Sequence, residues 1–204
     1  MAGDDPWLER WLPRIRQAAD DGHVLELGCD TGGDTAVLAH AGLQVTATDI
    51  SREALAACAA AVPSATVLHH DLREPMPFAD ARFGVVIASL CLHYFDAATT
   101  AGIVGEIHRC LRPGGLFLCR LNSTRDVHHG AGATEQASPG LLVVNGRYSV
   151  LKRFYGPAEL DALFGPQWTQ LSREELTNHR YDKPKVAWEL ALVNNGAMDP
   201  QEKP

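Results

Sequence analysis

His23-Val-Leu-Glu26-Leu-Gly28-Cys29-Asp30-Thr-Gly32-Gly33-Asp34-Thr35 is the stretch whose reading decides the fold. A short apolar run breaks at Gly28 into a turn with three glycines, and Asp34-Thr35 then opens an alanine- and leucine-rich segment. A strand that feeds a glycine-rich turn and then a helix N-terminus is the ligand-handling corner of a doubly wound α/β sheet. The unpaired N–H groups of turn and helix point to where the strand ends, so the ligand is expected there.

Composition narrows the classes around this corner. The 204 residues suit one ordinary domain, and 46% hydrophobic with 21% charged residues is the balance of a soluble globular chain. No apolar run approaches the ~20 residues of a membrane span. Met1-Ala-Gly-Asp-Asp-Pro6 has no basic stretch ahead of an apolar one, so no secretory signal is expected. Cys29, Cys58, Cys91, Cys110 and Cys119 are odd in number, with no Cys-x-x-Cys spacing. They read as small core residues of a reduced, cytoplasmic protein. The pairs His69-His70 and His128-His129 have no partner at ligand spacing, so no metal is expected. A net charge of −7 argues against a broad nucleic-acid surface.

Read in order, residues 1–22 form an N-terminal helical segment, with Trp7, Leu8, Trp11, Leu12 and Ile15 on one side and a break at Pro13. Trp7 and Trp11 either cover a ligand mouth or pack on the sheet edge or a second copy, so monomer and homodimer both stay open. Strands are expected at 23–27, 43–48, 65–69, 83–89 and 116–121, and helices at 34–41, 53–61 and 97–111. Ser51 suits a helix cap, and Pro113-Gly114-Gly115 suits a helix stop. Residues 122–149 are polar and glycine-rich and read as a long functional loop. A short helix to about Phe164 and strands at 168–172 and 186–193 close the pattern, and a flexible tail is expected from residue 194.

Further features stand at strand ends. Glu26 lies inside the first strand, Asp49 ends the second about twenty residues after Gly28, His70-Asp71-Leu72 ends the third, and Ala88-Ser89-Leu90 the fourth. Leu111-Arg112-Pro113-Gly114-Gly115 precedes the fifth. In this order and spacing, residues 23–193 resemble the class I S-adenosylmethionine-dependent methyltransferases. The ending Lys183-Pro184-Lys185-x-x-x-Glu189 looks most like small bacterial methyltransferases of the tellurite-resistance and small-molecule type. The resemblance implies a Rossmann-like, mostly parallel seven-stranded sheet with a C-terminal antiparallel hairpin.

It also implies roles. Gly28, Cys29 and Gly32 belong to the turn that wraps the methionine portion of S-adenosylmethionine, with Glu26 toward its ammonium. Asp49 holds the ribose and Ile50 packs on the adenine. Asp71 and the Leu72 N–H read the adenine edge, and Ser89 lines the methionine side. Asp30 stands where the family usually has glycine. Charge favours the methyltransferase reading at that point. A carboxylate would repel the pyrophosphate of a dinucleotide, whereas S-adenosylmethionine carries a sulfonium and an ammonium. Aspartate also tolerates positive φ better than most residues.

Methyl transfer from a sulfonium is an in-line displacement, for which alignment and exclusion of water matter most. A base is needed only where the acceptor must lose a proton, and His93 beside Tyr94 is the candidate; a buried core histidine is the competing reading. Arg125, His128, Arg147 and Tyr148 are the candidate contacts to a small-molecule acceptor, against a solvated loop tying itself down. A nicotinamide-dependent oxidoreductase, a protein or peptide methyltransferase and a non-catalytic cofactor-binding module stay as alternatives.

Overall fold

The computed structural model describes residues 6–131, 141–144, 147–150 and 152–196, with side chains throughout except in 141–144 and 147–150. A seven-stranded sheet is the frame. Its strands are β1 (His23–Leu27), β2 (Gln44–Asp49), β3 (Thr66–His69), β4 (Phe83–Ser89), β5 (Leu111–Asn122), β8 (Trp168–Asn178) and β9 (Lys185–Asn194). They run in the order β3-β2-β1-β4-β5-β9-β8. The first five pair in parallel, and β9 enters antiparallel between β5 and β8. The expected Rossmann-like sheet with its antiparallel C-terminal hairpin is what forms.

Phe83–Ser89 takes the centre because its unbroken apolar run can face a core on both sides. Val86 and Ala88 join one core with Leu25, Leu27 and Ile107, while Val85 and Ile87 join the other with Val24, Leu38 and Leu55. The first core lies under α4 (Ala97–Cys110) and α5 (Pro157–Leu163). The second lies under α1 (Leu12–Ala18), α2 (Gly33–His40) and α3 (Arg52–Ala61). Ser51 caps α3 by accepting from the Ala54 N–H at 3.2 Å, and Asp96 caps α4 from the Thr99 N–H at 2.8 Å.

Pro13 divides the N-terminal segment into a 3-10 turn, Pro6–Trp11, and α1, where it occupies the first turn and needs no N–H partner. Trp7 and Trp11 pack within the molecule: Trp7 Nε1 donates to both Asp34 carboxylate oxygens at 2.9 and 3.0 Å, and Trp11 Nε1 to Glu189 at 3.0 Å.

Four expectations change. The fifth strand begins at Leu111, because Leu111 already pairs with Phe83 before the register shifts across Pro113-Gly114-Gly115. Part of the expected long loop is a separate two-stranded sheet, β6 (Leu141–Val144) with β7 (Arg147–Val150). The eighth strand runs on to Asn178 past an irregularity at residue 171. At the C-terminus, Asn194, assigned to the tail from sequence, is buried and donates to the His108 and Leu111 carbonyls at 3.0 and 2.9 Å. Residues 197–204 lie outside the described residues. Among the described residues, no helix is long and apolar enough to cross a membrane.

Candidate functional site

A cavity of about 910 Å³ opens where β1, β2, β3 and β4 end. Backbone geometry shapes its floor. Gly28 sits at φ +67°, and a Cβ there would lie 2.6 Å from Cys91 Cβ. Gly32, at φ +90°, backs onto Cys58, whose Cα is 3.1 Å from a Cβ position. Both need glycine for conformation and for space. Asp30 adopts φ +47°, the left-handed region that an aspartate can enter.

Asp49 ties this turn to the next helix. One carboxylate oxygen accepts from the Asp30 N–H at 3.0 Å, the other from the Ser51 N–H at 2.8 Å. Ile50 follows and is 56% exposed, an apolar surface turned to the cavity rather than the core. Asp71 also lines the cavity, held by the Arg73 guanidinium at 2.5 to 3.0 Å, and that pairing lowers its pKa. Leu72, Ser89 and Leu90 continue the lining. Ser89 Oγ accepts from Arg120 at 2.7 and 2.9 Å. Arg120 in turn lines a smaller cavity of about 360 Å³ with Trp7, His179 and Trp188.

Glu26, Cys29 and Gly32 stand behind the cavity rather than on its lining. Glu26 is 3% exposed and accepts from Thr35 Oγ1 at 2.5 Å. Burial, reinforced by Asp34 and Asp49, pushes its pKa up to about 8, so the carboxyl holds a proton at neutrality. Burial raises the Cys29 thiol as well, and pushes Cys91 beside Gly28 up to about 12. Both thiols are protonated and inert.

The expected catalytic pair separates. Tyr94 lines the cavity, half exposed, but His93 does not. His93 is 2% exposed, and burial, with Lys152 and Lys185 adding to it, depresses its pKa to about 3. An imidazole so weakened is a poor base near neutral pH, and the geometry fits the competing core reading.

The expected acceptor contacts are displaced too. Arg125 is exposed and paired with Glu175 at 2.9 Å, and His128 is exposed; neither lines the cavity. The side chains of Arg147 and Tyr148 lie outside the described residues. The wall carries instead Thr48, His70, Arg73, Cys91, Phe95, Arg180 and Tyr181, none of which the sequence reading assigned. Arg180-Tyr181, an adjacent cation and ring in a polar loop, is the one local signal among them. Among the described residues, no group of three His, Cys, Asp or Glu is placed to hold a metal ion.

Residues 25–119 match a family described as a methyltransferase domain. An uncharacterized methyltransferase of Synechocystis is 38% identical over 107 residues, 52% of this chain and 50% of its own length. The chain spans about half the length of that curated relative, and less of several others. An S-adenosylmethionine-dependent methyltransferase of Methanosarcina mazei superposes with a TM-score of 0.72 at 18% identity, covering 86% of this chain and 93% of its own. A magnesium protoporphyrin IX methyltransferase of Synechocystis with bound S-adenosylhomocysteine gives 0.66 at 13% identity, over 92% and 82%. At these identities the two structures speak to fold alone.

Proposed function

We propose for this chain, which belongs to the class I S-adenosylmethionine-dependent methyltransferase superfamily, the transfer of a methyl group from S-adenosylmethionine to a small-molecule acceptor. One observation carries the choice of cofactor: Asp30 and Asp49, joined through the Asp30 N–H, present two carboxylates at the glycine-rich turn. Unit charges ~4 Å apart near a protein surface interact by roughly 4 kcal/mol. That interaction is repulsive toward a pyrophosphate and attractive toward a sulfonium or ammonium.

The other groups fit the same ligand. Asp49 can accept from ribose hydroxyls while keeping its backbone bonds, since each carboxylate oxygen has more than one acceptor site. Exposed Ile50 offers an apolar face to a flat base, and Asp71 with the Leu72 N–H offers an acceptor and a donor at its edge. Gly28 and Gly32 bring bare backbone close to the methionine portion, with Ser89 beside it. Glu26 lies one layer further back, where an arriving ammonium would favour its ionised form.

When bound, S-adenosylmethionine supplies a methyl on a sulfonium whose leaving group is a neutral thioether, suited to in-line displacement. The chain's part is to align an acceptor and keep water away, which Tyr94, Phe95 and Tyr181 do by walling the cavity with rings. Proton removal is not assigned to His93 in this arrangement. Five cysteines without a disulfide suit a reducing, cytoplasmic setting.

The test is calorimetric titration with S-adenosylmethionine, S-adenosylhomocysteine and NAD in parallel. Binding of the two sulfur compounds without NAD is expected. Binding of NAD alone would overturn the charge argument, and no binding at all would favour a chain that has lost this chemistry.

A further inference from the structure

Two rings of the cavity wall each have a lysine ammonium near them. Lys152 Nζ lies 5.7 Å from the centre of the Tyr94 ring, and Lys185 Nζ 6.0 Å from that of Tyr181. Lys185 is buried and satisfied. It donates to Asn122 Oδ1 at 2.7 Å and to Asp126 Oδ2 at 3.1 Å, and the second Asp126 oxygen accepts from the Val186 N–H at 3.0 Å. Lys152 differs. It is half-buried, yet among the described residues it makes no hydrogen bond and no ion pair. Burial, then the charge of Lys185, lowers its pKa.

His93 completes the group. Its ring lies 4.4 Å from that of Tyr94, and neither ring nitrogen has a partner among the described residues. Lys185 thus has a carboxylate, Asp126, while Lys152 has none within bonding distance among the described residues, and the nearby neutral imidazole has both ring nitrogens unpaired there. A buried polar group without a partner and a half-buried cation without an anion both cost free energy. A monoanion beside Lys152 would supply the missing counter-charge.

The excess of one positive charge and the flanking rings define the anion. A lysine is a point charge that serves carboxylate and phosphate alike. A single excess positive charge matches a monoanion better than a dianion, however, and the flanking rings suit a carboxylate on an apolar body. Two nearby arginines are engaged elsewhere: Arg125 with Glu175, and Arg153 with Thr100 and Tyr155. We propose that Lys152, with His93 and Lys185 behind it, recognises a carboxylate carried by the methyl acceptor. The proposal rests on the methyltransferase reading above and names its substrate class.

The experiment uses the full chain saturated with S-adenosylhomocysteine, titrated with benzoate, phenylacetate and hexanoate and with the primary amide of each. At least one acid should bind, and its amide at least tenfold more weakly. Lys152→Met should abolish that preference with S-adenosylhomocysteine affinity within twofold of the parent, and Lys152→Arg should keep it. Equal binding of acid and amide overturns the proposal, as does a preference that survives Lys152→Met or the absence of acid binding across the panel. Should S-adenosylhomocysteine itself not bind, the same acid–amide comparison on the chain alone decides. The cofactor reading and the carboxylate site therefore fail separately.

Discussion

The two walls of the cavity keep their shape by different means. The wall made by Gly28, Asp30 and Asp49 is mostly backbone: left-handed turns, the Cys29 N–H on the Thr48 carbonyl, and a carboxylate whose partners are main-chain N–H groups. The wall that includes Tyr94 and Tyr181 is set by side chains, through Lys185, Asp126 and Asn122 and the rings stacked near them. A backbone wall is sensitive to one added carbon and indifferent to many side-chain changes. A side-chain wall is the reverse, and its ligand preference can be altered without touching the fold.

The largest effect should come from the first wall. Gly28→Ala places a Cβ against Cys91 and in a left-handed conformation, which should cost about 3 to 4 kcal/mol in urea unfolding. Adding Cys91→Gly should recover the steric part; no recovery would mean the loss is conformational alone. On the second wall, Asp126→Asn leaves Lys185 buried without its counter-charge and should cost about 3 kcal/mol. A loss below about 1 kcal/mol would show that the two walls are not built differently.

Asp49→Ala should cost about 2 kcal/mol of S-adenosylhomocysteine affinity by calorimetry, with a smaller loss of stability from its two N–H bonds. Unchanged affinity would remove Asp49 from the ribose site. The remaining effect is a slope with pH rather than a single loss. Glu26 keeps its proton up to about pH 8 in the fold, against 4.5 when unperturbed, so folding takes up a proton between those limits. Its contribution is complete below the lower limit, declines as pH rises, and is lost above the upper one. Glu26→Gln should flatten the fall of melting temperature between about pH 5 and 8. An unaltered slope would mean an ionised carboxyl.

What could be read in advance follows the same division. Gly28, Asp49, Asp71 and Ser89 were legible because each ends a strand, and strand ends are set by local periodicity and punctuation. Even Asp30 was legible, since its tolerance of positive φ is a property of the residue. Lys152, Arg180 and Tyr181 were not. Lys152 is placed by its neighbour Arg153, whose N–H donates to the His93 carbonyl at 2.8 Å. Arg180 and Tyr181 are placed by the return of β8 and β9 beside β5. These are long-range pairings that local sequence does not report. His93 misled for a related reason: its sequence neighbours suit a site residue, but its burial is decided by distant elements. Asn145-Gly146 between two β-rich runs is a local hairpin signal inside a segment whose average polarity reads as loop.

The contact between Arg10 and Glu189 spans 179 residues, and β9, which carries Glu189, sits inside the sheet rather than at its edge. On a ribosome adding ~5–20 residues per second, the N-terminal segment would wait about 10 to 40 seconds for that partner. During that interval the nascent chain can form β1 to β5 and seat Trp7 on Asp34, while the carboxylates for Arg10 and Trp11 have yet to emerge. A strand made later, β9, therefore fastens a residue made 179 positions earlier.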